Sequence, residues 1–304
     1  GGIIDLAKAR SETYERPGAL PTVVFGTIDE DLARRDFSVN AMAISLQEDD
    51  RGVILDPHRG RDDLEQKIIR VLHSRSFSDD PTRLFRALRY AHRLGFQYQD
   101  DTATLWMNGL AYLETISGDR IRRELQRMLR ERDNDRLMMM AERSGVLTVI
   151  HPAFQLGREA LVELWRLGAC NFQRVDDWLI SLLLAEVSPG EVSRVIDRLN
   201  LDGQQAKVVR DVIAIKAIFD HLGATKLRMS QVYELLRSRD ETAVEVCTRL
   251  VKFPSSNVLR EYLSNIRNVK PILNGDDLIE LGVDDSQLIA TLKIDADRFA
   301  HEIF

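Results

Sequence analysis

The sequence predicts an α+β fold, in which a short mixed α/β segment is followed by a long all-helical one. Two apolar runs, at residues 3–10 and 23–28, have the length of strands and flank a loop rich in proline and glycine. From about residue 79 onward, apolar residues recur at helical spacing, with breaks at glycines and prolines. The helical part shows no 33- or 34-residue repeat, so a solenoid is not predicted.

The composition is that of a soluble protein with more than one domain. The chain has 304 residues, of which 44% are hydrophobic and 30% are charged. The formal net charge is -6, so a nucleic-acid partner would have to be held by local basic patches. Cys170 and Cys247 lie in no metal-binding spacing and favour a reduced compartment, hence a cytoplasmic protein. No apolar run is long enough to span a membrane, and no signal peptide is recognisable.

The first predicted strand, residues 3–10, carries an acid at Asp5. An edge-strand carboxylate that faces water is the ordinary interpretation of such a residue. Residues 11–22 are predicted to form a loop because Pro17, Gly18 and Pro21 interrupt any regular element. Loops of this length inside a domain are often functional.

A helix is predicted over residues 29–43, with acids at its start and arginines after them. Within two helical turns it would carry two phosphate-capable donors, Arg34 and Arg35, an acceptor, Asp36, and an amide, Asn40. Asp36 could accept from ribose hydroxyls while an arginine binds phosphate. The alternative is a surface helix of mixed charge.

A second helix is predicted over residues 79–95. Asp79 or Asp80 can cap it, Pro81 suits its first turn and Gly95 suits its exit. Helical spacing places four arginines on one arc and apolar residues on the opposite, buried arc. The arginines are Arg83, Arg86, Arg89 and Arg93, and the apolar residues are Leu84, Ala87, Leu88, Ala91 and Leu94.

The start of this helix offers a hydrogen-bonding edge for a nucleobase. Asp80 and Arg83 are three residues apart, which brings an acceptor and a fork of donors together on the first turn. Cytosine and adenine present an amine donor beside a ring-nitrogen acceptor, which this edge complements. Guanine and uracil invert that pattern and would leave charged groups unpaired. The alternative is an intrahelical salt bridge in a capped amphipathic helix.

The helices beyond residue 100 are predicted to be mainly structural. Trp106 and Met107 are assigned to the core of a helix over 102–113. A helix from Ser117 has a basic face and an apolar one, and salt bridging is favoured over RNA contact for its arginines. The basic face is Arg120, Arg123 and Arg127, and the buried face is Ile121, Leu125, Met128 and Leu129. Further helices are predicted at 135–144, 158–167, 176–186, 189–200, 204–222, 230–238, 241–252 and 256–269.

Several motifs taken together resemble the class II tRNA nucleotidyltransferase family, which comprises the bacterial CCA-adding enzymes and their poly(A) polymerase relatives. The resemblance covers residues 3 to about 150 and rests on the order and spacing of the motifs. They are Asp5-Leu6-Ala7-Lys8-Ala9-Arg10, the loop at 11–22, Arg34-Arg35-Asp36-Phe37-Ser38-Val39-Asn40-Ala41, Asp56-Pro57-His58-Arg59-Gly60-Arg61-Asp62-Asp63-Leu64, Ile69-Arg70-Val71-Leu72 and Asp79-Asp80-Pro81-Thr82-Arg83.

The resemblance implies a polymerase-β-like head (1–72), a helical neck (73–150), a body (151–255) and a tail (256–304). It implies transfer of C, A or both from CTP and ATP to the tRNA 3' end without a nucleic-acid template, and a member that adds only A or only C is a further alternative. Residues 11–22 would be a flexible loop, and residues 56–64 a hinge. The tail would grip the tRNA by shape and phosphate contacts, although a solvated face is the favoured interpretation of the candidate cations in this helical part of the chain. The residues implied to bind nucleotide are Arg34, Arg35, Asp36, Asn40, Asp80, Arg83, Arg86 and Arg89. The candidate tRNA-binding cations are Lys207, Arg210, Lys216, Lys226 and Arg228.

The sequence departs from the family at its start. The family head begins with a glycine-rich turn and an Asp-x-Asp pair that binds two Mg²⁺ ions, and no such segment precedes Asp5. Asp5 lies where a third acidic residue is expected. The departure has two interpretations: a head that is incomplete at its N-terminus, which is favoured, or a non-catalytic nucleotide- or RNA-binding module. A bacterial poly(A) polymerase is the alternative enzyme.

Overall fold

The computed structural model describes residues 6–168, 174–222 and 227–268, which divide into two compact units. The first contains residues 6–155, 164–168 and 194–201, and the second contains 156–163, 174–193, 202–222 and 227–268. The four predicted domains, at 1–72, 73–150, 151–255 and 256–304, remain predictions. Asp5 and the segment from 269 onward lie outside the described residues.

The strands of the first unit form three two-stranded pairs among the described residues. β1 (Arg10–Thr13) and β2 (Thr22–Phe25) are antiparallel, with Arg10 opposite Phe25. β3 (Ala43–Ile44) and β4 (Ile54–Leu55) form a second antiparallel pair. β5 (Ile68–Ile69) and β6 (Gln97–Tyr98) are parallel.

The predicted boundaries of the first strand and loop are wrong for the described residues. Residues 6–9 lie in no strand, and Ser11–Thr13 belong to β1. The loop is therefore confined to residues 14–21. The reason is that its prolines and glycine lie at 17, 18 and 21, so they leave the backbone of Ser11–Thr13 able to pair with β2.

Eight helices precede residue 155 among the described residues, and α9 to α15 lie beyond it. The first eight are α1 (Ile28–Ala33), α2 (Gly60–Gln66), α3 (Ser76–Asp79), α4 (Thr82–Leu94), α5 (Asp100–Gly109), α6 (Gly118–Leu129), α7 (Asn134–Arg143) and α8 (Val146–Ile150). The others are α9 (Arg158–Leu167), α10 (Val175–Leu183), α11 (Val192–Leu199), α12 (Gly203–Leu222), α13 (Met229–Leu236), α14 (Glu241–Leu250) and α15 (Ser255–Ser264).

The predicted helix over residues 29–43 ends at Ala33 instead. Thr27 begins α1 with a reciprocal capping box, in which its hydroxyl and the Glu30 carboxylate bond each other's backbone N–H. Phe37 then adopts an extended conformation, is completely buried and forms a bridge with Val71. Burial of this ring overrides the helical tendency, and a short 3-10 turn at Ser38–Asn40 comes next.

The predicted helix over residues 79–95 also begins later, at Thr82. Asp80 is extended, because the ring of Pro81 disfavours the helical conformation in the preceding residue. Its carboxylate Oδ1 accepts from the backbone N–H of Thr82 at 3.0 Å. The exit at Gly95 is confirmed, and this glycine has a φ of +67°.

The core of the first unit forms where α4 packs against α6. Their facing side chains are buried, and the Trp106 indole N–H donates to the Leu84 carbonyl at 3.2 Å. The buried residues include Leu84, Leu88, Ile121, Leu125, Met128 and Leu129. Two core assignments are wrong. Leu94 is 45% exposed in the last turn of α4, and Met107 is 61% exposed on the outer side of α5.

The regular elements of the second unit are all helices among its described residues. Its core forms between α10, α12 and α14, which supply Leu179, Leu182, Val208, Val212, Val246 and Cys247. Burial raises the pKa of the Cys247 thiol, so this cysteine is a packing residue. The helices predicted from residue 135 onward are confirmed, with ends displaced by a few residues, and α8 was not predicted. No described helix has the length and apolar character that crossing a membrane requires.

Candidate functional site

A polar cavity of about 580 Å³ lies within the first unit. It gathers residues from β1, the segment after α1, the start of α4 and α6, together with Pro21 of the loop. Seven of the eight residues predicted to bind nucleotide line it, Arg89 being the exception. The lining consists of Arg10, Glu12, Tyr14, Pro21, Arg34, Arg35, Asp36, Asn40, Asp80, Arg83, Arg86, Tyr90 and Arg120.

A buried carboxylate on α1 organises one side of this cavity. Asp31 is 6% exposed, and its Oδ1 accepts from Arg34 Nη2 at 2.8 Å. Its Oδ2 accepts from Arg35 Nη2, also at 2.8 Å. Arg34 Nη1 donates further to Glu12 Oε1 of β1 at 2.8 Å. The two arginines that sequence reasoning assigned to phosphate are therefore oriented by acids that it did not assign.

Asp36 organises a second group of side chains in and beside the cavity. Its Oδ2 accepts from Arg86 Nε at 2.7 Å, and its Oδ1 accepts from the Phe37 backbone N–H at 2.9 Å and from Asn40 Nδ2 at 3.1 Å. Burial opposes the positive charge of Arg86, but the adjacent Asp36 carboxylate outweighs it and raises the pKa of this guanidinium. A ribose hydroxyl would be an additional donor to a carboxylate that is already bonded at both oxygens.

The two oxygens of Asp80 differ in their partners. Oδ1 accepts from Thr82 N at 3.0 Å, from Thr82 Oγ1 at 2.6 Å and from Arg120 Nη2 at 2.6 Å. No donor from the described residues is bonded to Oδ2. The side chain of Asp80 is 24% exposed and lines the cavity, so Oδ2 is the acceptor that remains for a ligand.

Arg83 contributes a buried positive charge beside Asp80. It is 4% exposed, and its guanidinium donates to Ser76 Oγ at 2.8 Å and to the Arg34 carbonyl at 2.7 Å. The intrahelical Asp80–Arg83 salt bridge, the alternative drawn from the sequence, is not formed. Because these two partners are neutral, the charge of Arg83 is left to an acceptor in the cavity.

The predicted row of arginines on α4 does not form one binding surface. Arg83 and Arg86 line the cavity, whereas Arg89 Nε donates to Glu131 Oε1 at 3.0 Å and Arg89 Nη1 lies 3.6 Å from Glu124 Oε2. Arg93 also pairs with Glu131. These acids lie on α6 or just after it, and their capture of Arg89 removes the geometric basis for assigning it to nucleotide. Its binding role stays a prediction that the cavity does not support.

Sequence reasoning missed several lining residues. Tyr90 lies one turn beyond Arg86, a spacing that the arginine pattern could have revealed, and packs edge-on against Phe37 with ring centroids 5.8 Å apart. Tyr14 donates its hydroxyl to Glu12 Oε2 at 3.0 Å, and burial raises its pKa to about 12. Glu12 and Tyr14 lay in the predicted loop, so no pattern indicated that they shared a side with Arg34.

The chemistry of the described acids does not fit a magnesium site. The carboxylates in and around the cavity are each bonded to arginines, as shown above for Glu12, Asp31, Asp36 and Asp80. Within the described ranges, no group of three or more His, Cys, Asp or Glu side chains is arranged to hold a metal ion. We therefore assign no catalytic step to a metal held by these residues. Asp5, the predicted third acid, is outside them.

Comparison with known proteins identifies the family. Residues 2–70 match the model of the poly A polymerase head domain. An A-adding tRNA nucleotidyltransferase of Halalkalibacterium halodurans is 31% identical to this chain, and the match covers 99% of the chain and 74% of the relative. The chain belongs to the class II tRNA nucleotidyltransferase, or CCA-adding, family. An A-adding relative from Geobacter sulfurreducens is 32% identical over 92% of the chain, which spans about a third (34%) of that relative.

Solved structures support the same fold, a nucleotidyltransferase head followed by a helical region. A CCA-adding enzyme in an apo form superimposes with a TM-score of 0.77 and 28% identity, over 97% of this chain and 73% of that one. A CCA-adding enzyme in complex with CTP gives a TM-score of 0.72 and 27% identity, over 90% of this chain and 68% of that one. The predicted α+β fold is thereby confirmed.

Proposed function

We propose that this chain selects a nucleoside triphosphate for addition to the 3' end of tRNA, without a nucleic-acid template. The observation that carries the proposal is that the Asp80–Arg83 edge lines the same cavity as Arg34 and Arg35. The Asp80–Arg83 edge suits a base, and Arg34 and Arg35 suit phosphate. The names of the relatives, which are tRNA nucleotidyltransferases, supply the acceptor. A cytoplasmic location, where tRNA is processed, belongs to the same proposal.

Base selection is assigned to Asp80 because of its partners. Since Arg120 and Thr82 occupy Oδ1, the unoccupied Oδ2 can accept the exocyclic amine of cytosine or adenine. Arg83 can donate to the ring nitrogen beside that amine. A carbonyl at the same place would face Oδ2 without a proton between them, which penalises guanine and uracil.

Phosphate binding is assigned to the arginines at the end of α1. Arg35 is the more available, since its side chain is 45% exposed and has one carboxylate partner, whereas Arg34 is 17% exposed between two. Bound Mg²⁺ would supply Lewis-acid activation to phosphoryl transfer of this kind, and none of the described residues is assigned to hold it. The described residues bind the triphosphate and select its base, and no further step is assigned to them.

ATP is the favoured substrate, because relatives that match more than nine-tenths of the chain are A-adding enzymes. CTP is the second nucleotide in the proposal, since its base presents the same hydrogen-bonding edge. Poly(A) polymerase activity is the rival function, favoured by the match of residues 2–70 to the poly A polymerase head. A module that binds nucleotide or RNA without catalysis is the other alternative.

One experiment separates these functions. The chain is incubated with Mg²⁺, labelled ATP or CTP, and tRNAs that end before CCA, after C or after CC. We expect ATP and CTP to bind in preference to GTP and UTP, and addition of a single A to the tRNA ending in CC would favour an A-adding enzyme. A long A tail would favour poly(A) polymerase, and added C residues would favour a CC- or CCA-adding enzyme. Without extension, binding of ATP and CTP in preference to GTP and UTP would identify a selecting module. Failure to bind any of them would refute the proposal.

A further inference from the structure

Asp31 is the one acid of α1 that contacts both arginines assigned to phosphate. The sequence places it three residues before Arg34 and four before Arg35, so a single carboxylate reaches both side chains. Arg34 approaches Oδ1 through both Nε, at 3.1 Å, and Nη2, at 2.8 Å, while Arg35 binds Oδ2. The Arg10 backbone N–H also donates to Oδ1, at 3.2 Å, and this ties α1 to β1.

The burial of Asp31 makes this arrangement rigid. The side chain of Asp31 is 9% exposed, compared with 17% for Arg34 and 45% for Arg35. Arginine side chains have many rotamers, and two adjacent guanidinium groups repel each other when nothing lies between them. Asp31 fixes the rotamers of both arginines and separates their positive charges.

We propose that Asp31 is a positioning residue for triphosphate binding, acting through Arg34 and Arg35. This inference rests on the proposed nucleotide-binding function of the cavity. It contradicts simple electrostatics, under which removal of a negative charge near a phosphate site strengthens phosphate binding. If positioning dominates, removal of Asp31 weakens binding, although the site becomes more positive.

The test compares Asp31→Ala and Asp31→Asn with Asp29→Ala. Asp29 is on the same helix, is exposed and makes none of the described contacts with these arginines, so its removal changes the charge equally. Binding of ATP and of AMP is measured by calorimetry in the same buffer. We expect both Asp31 variants to weaken ATP binding by about tenfold or more, while AMP binding changes by less than about twofold, because the oriented arginine pairs are lost. Asp29→Ala should leave ATP binding unchanged or slightly tighter.

A double-mutant cycle supplies the second readout. In an Arg34→Ala/Arg35→Ala background, Asp31→Asn should have no further effect on ATP affinity, because the groups through which Asp31 acts are gone. Circular dichroism verifies that each variant is folded. If Asp31→Ala unfolds, the comparison is made with Asp31→Asn alone. The inference would be overturned if the Asp31 variants bound ATP as tightly as Asp29→Ala does. It would also be overturned if Asp31→Asn lowered ATP affinity equally with and without Arg34 and Arg35. Either result would leave the proposed function intact. Failure of the unsubstituted chain to bind ATP would instead refute both.

Discussion

At the scale of single residues, the cavity is built from cations that already have partners. Arg34 and Arg35 share Asp31, Arg86 is held by Asp36 and Arg120 is held by Asp80. Arg83 differs because its two partners are the neutral oxygens of Ser76 and Arg34. Seven of the residues that line the cavity were recognisable as candidates in the sequence, whereas their pairing required the fold.

Asp80→Ala and Arg83→Ala are expected to relax base choice. Each substitution removes one side of the hydrogen-bonding edge, so the penalty on GTP and UTP falls by about 1–3 kcal/mol, or roughly 5- to 150-fold in relative affinity. Competition of the four nucleotides for the binding site measures this ratio, with tRNA affinity as the control. Unchanged discrimination in both variants would argue against the edge.

Asp36→Ala is expected to reduce the preference for ribonucleotides over deoxyribonucleotides. Its carboxylate is the predicted acceptor for a ribose hydroxyl, and it also orients Arg86. Loss of one such hydrogen bond corresponds to about 1 kcal/mol, or roughly fivefold. The ratio of ATP to dATP affinity provides the measurement. A ratio that stays the same, with both affinities lowered equally, would assign Asp36 only to the support of Arg86.

At the scale of elements, α6 connects the loop at 14–21 with the start of α4. Arg120 Nη1 donates to the Gly18 carbonyl at 2.8 Å, while Nη2 bonds Asp80. Gly18 has a φ of +71°, and its N–H donates to the Ser78 carbonyl at 2.9 Å. A Cβ at this position would meet Thr115 Oγ1 at 2.1 Å, so glycine is required for the loop to approach closely.

Arg120→Ala is expected to impair base discrimination more than protein stability. Without Arg120, Oδ1 of Asp80 loses its charged donor and keeps only the two bonds from Thr82, so the carboxylate is held less firmly and Oδ2 is less well aimed into the cavity. The ratio of ATP to GTP binding should fall at least about threefold. Arg123→Ala is the matched control, because Arg123 lies on the same helix and is exposed. Equal selectivity in the two variants would refute this role for Arg120.

The same elements show how far the sequence could be interpreted. The amphipathic pattern of α4 and α6 predicted their buried faces correctly apart from Leu94, since both helices are long and strongly periodic. The ends of α1 and α4 could not be predicted by periodicity, because Phe37 is drawn into the core and Pro81 constrains Asp80. The partners of Arg89 were also hidden, since Glu124 and Glu131 are 35 and more residues away in the sequence.

At the scale of the whole molecule, acids and bases are nearly balanced, with 42 Lys and Arg against 48 Asp and Glu. Many of these charges form internal pairs in the described part of the chain. In the second unit, Lys207 pairs with Asp211, and Lys216 with Glu186 and Asp220. These two candidates for tRNA contact therefore have local structural partners. Arg210 is exposed, and Lys226 lies outside the described residues.

The pH dependence of folding stability should reveal the Asp31 cluster. Although burial alone would raise its pKa, the hydrogen bonds from Arg35, Arg34 and the Arg10 backbone lower the pKa of Asp31 from 3.8 to about 2. A carboxyl group with a lowered folded-state pKa stabilises the protein above its unfolded pKa, by about 2 kcal/mol here, and loses that contribution as the pH falls toward 2. Urea unfolding should show a gap in the free energy of unfolding between the unsubstituted chain and Asp31→Asn, and this gap should be constant from pH 7 to 5. That gap should narrow below about pH 4, and a gap that widened there would contradict this assignment.

Binding of tRNA should depend strongly on salt in spite of the net charge of -6. If local arginines and lysines contact phosphates, their counterions are released on binding, and affinity falls linearly on a log–log scale. We expect at least about a tenfold loss between 50 and 200 mM salt, measured by filter binding with a tRNA ending in CC. An affinity that is insensitive to salt would show that phosphate contacts contribute little.

The paired arginines of the cavity have a thermodynamic consequence. Their rotamers are fixed when the chain folds, so a triphosphate that enters meets donors already in place and immobilises few side chains. The conformational entropy of these arginine side chains is therefore lost when the chain folds and not when the nucleotide binds. The calorimetric signature of nucleotide binding should therefore be a favourable enthalpy with only a small entropic penalty from the protein. In this respect the acids of the cavity are as much a part of its affinity as the cations that meet the phosphates.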